Sequence, residues 1–177
     1  MQSATSNTII NATNEYKALK DSDIIIICAG KKRTENMTRN DLLQENKVII
    51  TTMAQEIKKF SPNAMVIIVS NPVDLLTYTF YKESQLPKHK IIGMAGALDN
   101  NRFKYLLSKK LNHSIKDIST LLIGEHNHNM IPLIQYTKIN NIPLMEYLES
   151  NIIANSEIKK FINKTKNGGL EIIELQG

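Results

Sequence analysis

Two short, wholly apolar runs constrain this chain more than anything else in it: Ile24-Ile25-Ile26-Ile27-Cys28 and Ala64-Met65-Val66-Ile67-Ile68-Val69. Both are rich in β-branched residues and have the length of a strand rather than a helix. Neither shows the alternation of a half-exposed strand, so both are expected to be covered on two faces, as in a parallel sheet. Parallel neighbours need a long crossover between them. Residues 38–60 supply one: Leu42, Leu43, Val48, Ile49, Met53 and Ile57 recur at helical spacing, and Thr38 is placed to cap the helix start. The fold class is therefore α/β, with parallel βαβ units in the first half.

The rest of the chain extends this pattern. Residues 8–12 read as a short strand and 15–20 as one helical turn. Asn71-Pro72 ends the second apolar run, and Pro72 suits the first turn of a helix reaching about Glu83. Residues 90–93 read as a strand and 98–111 as a helix. Beyond that the pattern is mixed: strands at 119–123 and 131–136, helices at 144–148 and 156–165, and Gly168-Gly169 before a final short helix.

Composition excludes several classes. A chain of 177 residues can bury a sizeable core. Its net charge of +5 comes from scattered lysines such as Lys31-Lys32, Lys58-Lys59 and Lys109-Lys110, not from a single stripe, so no nucleic-acid partner is expected. No apolar run reaches the length of a membrane span, and the start MQSATSNTII lacks the features of a signal peptide. No membrane partner is expected. Cys28 is the only cysteine, which rules out an intramolecular disulfide and fits a reducing, cytoplasmic setting. Within its apolar run it reads as a small core residue rather than a nucleophile.

Chemistry concentrates in Leu98-Asp99-Asn100-Asn101-Arg102-Phe103 and Gly124-Glu125-His126-Asn127-His128-Asn129-Met130-Ile131-Pro132. Asp99 and Arg102 are three apart and share one face of a helix. A carboxylate there can orient an imidazole, and a guanidinium beside it can grip a substrate carboxylate through two parallel hydrogen bonds. His126 can be that imidazole. An acid-oriented histidine beside a carboxylate clamp suits proton transfer on a hydroxy acid. His126 and His128 could ligate zinc, but no cysteine or acidic cluster completes four ligands, and no metal is expected.

These segments resemble the lactate and malate dehydrogenases, whose pattern is L-D-[ST]-x-R followed by G-x-H-G-[DE]-x-M-x-P. The likeness runs through Cys28-Ala29-Gly30, Arg33, Met37-Thr38-Arg39-Asn40-Asp41-Leu42-Leu43, Asn46 and Ser70-Asn71-Pro72-Val73-Asp74, covering the chain from about Ala12 onward. The resemblance implies NAD as cofactor, a small dicarboxylate substrate and, as is common in the family, a homo-oligomer. It implies a partial NAD-binding domain over residues 1–96 and a partial catalytic domain over 97–177. His126 takes the hydroxyl proton, Asp99 orients it, and Arg102 clamps the substrate's 1-carboxylate. Arg39 polarises the carbonyl from a mobile loop, and Asn71 touches substrate and nicotinamide. Asn46, Val69 and Ser70 fall at cofactor-contacting positions. Arg33 occupies the place where the malate branch carries an arginine for the second carboxylate, so the implied reaction is oxidation of (S)-malate to oxaloacetate in the tricarboxylic acid cycle. Lactate dehydrogenase is the alternative within the enzymes.

The chain also departs from the pattern. Lys31-Lys32 and Thr34-Glu35-Asn36 replace the usual neighbours of Arg33, and Asn127-His128 replace the family's Gly-acid pair; asparagine can adopt the left-handed backbone that a glycine would take. The Gly-rich pyrophosphate turn, the acid for the adenosine ribose and the later substrate-binding Ser or Thr are not in the sequence. The expectation is a chain truncated at both ends with impaired activity, or a non-catalytic remnant of a decayed or split gene.

Overall fold

A computed structural model of the protein describes residues 8–32 and 37–176. The chain divides into two compact units, Met1–Gly93 and Met94–Gly177.

The first unit is an α/β layer. Strands β1 (Ile24–Ile27), β2 (Met65–Ile68) and β3 (Ile91–Gly93) form a parallel sheet in that order, with Ile24 opposite Met65 and Val66 opposite Ile91. Helix α1 (Arg39–Phe60) crosses from β1 to β2, and α2 (Val73–Ser84) from β2 to β3. Thr38 caps α1 as expected: its hydroxyl accepts from the Asp41 amide at 3.1 Å, while the Asp41 carboxylate accepts from the Thr38 amide at 2.9 Å. This reciprocal box satisfies two donors that a helix start otherwise leaves unpaired. Pro72 is the N-cap residue of α2, and Gln85 closes that helix in the left-handed conformation. The core gathers Ile25, Ile27, Ile50, Ala54, Ile57, Val66, Ile68, Leu76 and Phe80. Each large side chain buried there contributes roughly 1.5–3 kcal/mol.

One expectation for this unit changes. The apolar run of β1 suggested cover on both faces, yet the strand buries Ile25 and Ile27 and leaves Ile24 and Ile26 61% exposed. Successive side chains point to opposite faces, and among the described residues only one face of β1 is covered. Cys28 continues the uncovered register and is exposed, not a core residue. Residues 8–12 contain a single bridge at Ile9 instead of a strand, and residues 16–19 form one 3-10 turn.

The second unit is built on α3 (Gly96–Leu111). Two short antiparallel sheets follow. One pairs β4 (Ile118–Ser119) with β7 (Lys138–Ile139), which in turn pairs with β8 (Ile142–Pro143); the other pairs β5 (Leu122–Ile123) with β6 (Ile131–Pro132). Helices α4 (Leu144–Glu149) and α5 (Asn155–Gln176) complete it. The core joins Phe103, Leu107, Ile118, Leu122, Met130, Ile139, Leu144, Ile153 and Ile158.

The expected strand at 119–123 is two short strands, and 131–136 ends in a 3-10 turn from Ile134 to Tyr136. The β7–β8 hairpin turns on Asn140 (φ 48°) and Asn141 (φ 67°), the pair of left-handed residues that a two-residue hairpin loop needs. Gly168-Gly169 does not interrupt the last helix; α5 runs through both. A glycine raises the cost of a helical turn without forbidding it.

Candidate active site

Helix α3 buries Asp99, Phe103 and Leu107, three residues spaced by four. Two are core side chains. The third is a carboxylate, 2% exposed, on the same buried stripe. Such a charge is costly to bury unless it is paired. Here it has two partners. The His126 ring approaches Asp99 Oδ2 through Nδ1 at 2.7 Å, and Arg102 Nη1 donates to Asp99 Oδ1 at 3.3 Å. An ionised carboxylate can only accept, so Nδ1 carries the proton and the imidazole is held in one tautomer and one orientation. Arg102 lies one turn along the helix with its side chain 22% exposed.

His126 is positioned from below and from the side. Asn100, next to Asp99 on α3, accepts through Oδ1 from the Leu122 amide at 3.1 Å and the Thr120 hydroxyl at 3.0 Å. This fastens β5, the strand that leads into the histidine loop, to the helix that carries the acid. The loop leaves β5 at Gly124 with φ 94°, where a Cβ would lie 2.9 Å from the Asn129 carbonyl oxygen, so glycine is required there.

The loop then stitches itself together. The Glu125 carboxylate accepts from the Asn127 amide group at 2.7 Å and from that of Asn129 at 3.0 Å. These donations, that of Asn127 foremost, hold the Glu125 carboxyl below its ordinary range. Asn127, although asparagine can take the left-handed backbone, does not adopt it. Its side chain instead accepts from the Asn129 amide at 2.6 Å. A side chain that bonds the backbone two residues on makes the turn without a positive φ. The second histidine, His128, is exposed, and its carbonyl accepts from Lys166 on α5 at 2.8 Å. Among the described residues no cluster of three His, Cys, Asp or Glu side chains could hold a metal.

In the first unit, Asn46, Val69, Ser70 and Asn71 lie at the C-terminal ends of β1 and β2 or on the helix between them. The C-terminal end of the strands in an open parallel α/β sheet is where ligands bind. Asn46 is 1% exposed and spends its amide on the two loops there. It accepts from the Lys31 amide at 2.7 Å and donates to the Asn71 carbonyl at 2.8 Å. Ser70 is buried and donates to the Ala29 carbonyl at 2.6 Å. Gly30 faces Asn46, and a Cβ there would lie 3.2 Å from its Oδ1. Asn71 is exposed beside them, and the Val69 amide continues the ladder to the Ile27 carbonyl at 2.9 Å. Arg39 is the first residue of α1, its side chain outside the described atoms, and Arg33 lies outside the described residues.

Inspection of the sequence singled out Asp99, Arg102 and His126 but not Asn100 or Glu125. A lone Asn on a helix and a Glu beside a His carry no periodic signal, and their roles appear only when β5 and the loop fold back.

Comparison with known proteins follows the same division. Residues 1–93 match the lactate/malate dehydrogenase NAD binding domain, and residues 96–177 match the lactate/malate dehydrogenase alpha/beta C-terminal domain. The chain is similar to the malate dehydrogenase of Plasmodium falciparum, with 44% identity, a TM-score of 0.88, and coverage of 93% of this chain and 52% of that one. It is similar to the malate dehydrogenase of Cryptosporidium parvum at 41% identity and TM-score 0.88, covering 93% and 52%. Similarity to the Eimeria maxima lactate dehydrogenase solved with NADH and oxamate is 37% with TM-score 0.87, covering 93% and 50%. The chain thus spans about half the length of the structures it matches.

Proposed function

The chain belongs to the lactate/malate dehydrogenase family, and from that membership we propose that it carries the proton-transfer and carboxylate-binding machinery of an NAD-dependent malate dehydrogenase. The observation that carries the reading is the Asp99 carboxylate, buried and shared between His126 at 2.7 Å and Arg102 at 3.3 Å.

NAD, when bound, accepts the hydride that leaves C2 of the substrate. Val69, Ser70 and Asn71 would hold its nicotinamide end, and the loops tied by Asn46 fit that task. The other steps belong to this chain's side chains. Arg102 pairs with the substrate's 1-carboxylate and fixes C2 against His126. The C2 hydroxyl gives its proton to Nε2 of His126 as the carbonyl forms. Asp99, hydrogen-bonded to Nδ1, stabilises the imidazolium that results. Arg39 stabilises charge on the oxygen in the reverse reaction. Malate and NAD⁺ become oxaloacetate, NADH and one proton, which rests on His126 until solvent takes it.

Arg33 supports malate over lactate, because a second carboxylate in a closed site needs a second cation. The test is a chimera in which these residues replace the matching span of the Plasmodium falciparum enzyme. It should reduce oxaloacetate in preference to pyruvate, and Arg33→Gln should shift the ratio toward pyruvate by about tenfold or more. A ratio unchanged by the substitution would overturn the assignment of Arg33.

A further inference from the structure

We propose that Gly168 is a positioning residue for the Arg102 carboxylate clamp: the missing side chain at this point of α5 leaves the space in which the guanidinium lies. The inference rests on the reading of Arg102 given above.

Two adjacent glycines sit inside α5, each a poorer helix former than alanine. Their surroundings differ. A Cβ on Gly169 would meet nothing within 4 Å. A Cβ on Gly168 would lie 3.1 Å from Arg102 Nε, 3.2 Å from Cδ and 3.3 Å from Cζ. All three are inside ordinary van der Waals separation. Gly168 therefore backs the outer half of the arginine side chain, while Asp99 accepts from Nη1 at 3.3 Å. Arg102 is held between a carboxylate on its own helix and bare backbone on another. Two residues earlier, Lys166 donates to the carbonyl of His128 at 2.8 Å. One short stretch of α5 thus touches both the clamp and the histidine loop.

The atoms that a methyl group would displace are the far end of a flexible side chain, so an alanine at 168 moves the guanidinium without breaking the core. A fork displaced by a few tenths of an ångström presents its two donors to a carboxylate less well aligned. A shift of this kind costs binding, not folding.

The test uses the 177-residue chain with oxamate, which carries a carboxylate beside a carbonyl, as the probe. Three variants are compared: Gly168→Ala, Gly169→Ala and Arg102→Gln. Nuclear magnetic resonance follows the Arg102 Nε–H signal and its response to oxamate, and thermal unfolding reports the fold. Both alanine variants should fold as well as the parent or better, since alanine favours the helix. Gly168→Ala should shift the Arg102 Nε–H signal and weaken oxamate about tenfold, whereas Gly169→Ala should do neither. Equal behaviour of the two alanine variants, with Arg102→Gln abolishing the response, would overturn the role of Gly168 and leave the clamp standing. An oxamate response that survives Arg102→Gln, or is absent from the parent chain, would remove the clamp reading and this inference with it.

Discussion

At the scale of single residues, the site is organised by one buried acid. Asp99 takes a position on α3 that its helical spacing assigns to the core, in line with Phe103 and Leu107. Burial there makes its two hydrogen bonds obligatory, and they fix the imidazole and guanidinium relative to each other. Asn100 does the complementary work on the other side by holding β5 against the same helix. Its Oδ1 is the acceptor for two donors. Removing an acceptor leaves partly buried donors unpaired, which costs more than the bond itself gains. Asn100→Ala should therefore destabilise the protein by about 1–3 kcal/mol in urea unfolding. A loss below about 0.5 kcal/mol, the ordinary scatter of surface substitutions, would mean that other contacts hold β5 in place.

At the scale of elements, the capping box of α1 gives a prediction with a pH signature. Thr38→Ala should cost about 1 kcal/mol. The hydroxyl and amide of Thr38 hold the Asp41 carboxyl below its ordinary value. A group whose pKa is lowered on folding stabilises the fold above its unfolded pKa and loses that contribution as pH falls through the lowered value. The gap between parent and Thr38→Ala should therefore narrow in acid, below the usual carboxylate range. A gap independent of pH would show that the threonine acts without the acid.

The elements also show what could be read from the residues. Helix α1 was legible to its cap because its apolar spacing and its Thr-x-x-Asp start agree. The β1–β2–β3 layer was legible from the apolar runs, but the uncovered face of β1 was not, because a run of isoleucines is the same on both faces. The β7–β8 hairpin was overlooked although Asn140-Asn141 is a turn signal; the strands it joins are only two residues each. Gly168-Gly169 read as a break because local propensity favours one, yet α5 runs through both. Asp99, Arg102 and His126 were legible as a set because the two segments that carry them resemble the paired motifs of the family; their chemistry alone would not have singled them out. The supports around them were not: Asn100 acts only once β5 folds back onto α3, and Glu125 only once its loop closes on Asn127 and Asn129.

At the scale of the whole molecule, the chain holds Asp99, Arg102 and His126 in one unit, Met94–Gly177, and Asn46, Val69, Ser70 and Asn71 in the other, Met1–Gly93. The Gly-rich turn that would hold a pyrophosphate is not in the sequence. Among the described residues no helix is long and apolar enough to cross a membrane. The central claim is that His126, oriented by Asp99, moves the substrate proton. It is tested most directly by His126→Ala in the chimera described above, with turnover of oxaloacetate and binding of NADH measured on the same preparation. The account predicts that turnover falls by about 10²-fold or more while NADH binds as before. Turnover that is unchanged by the substitution would contradict it.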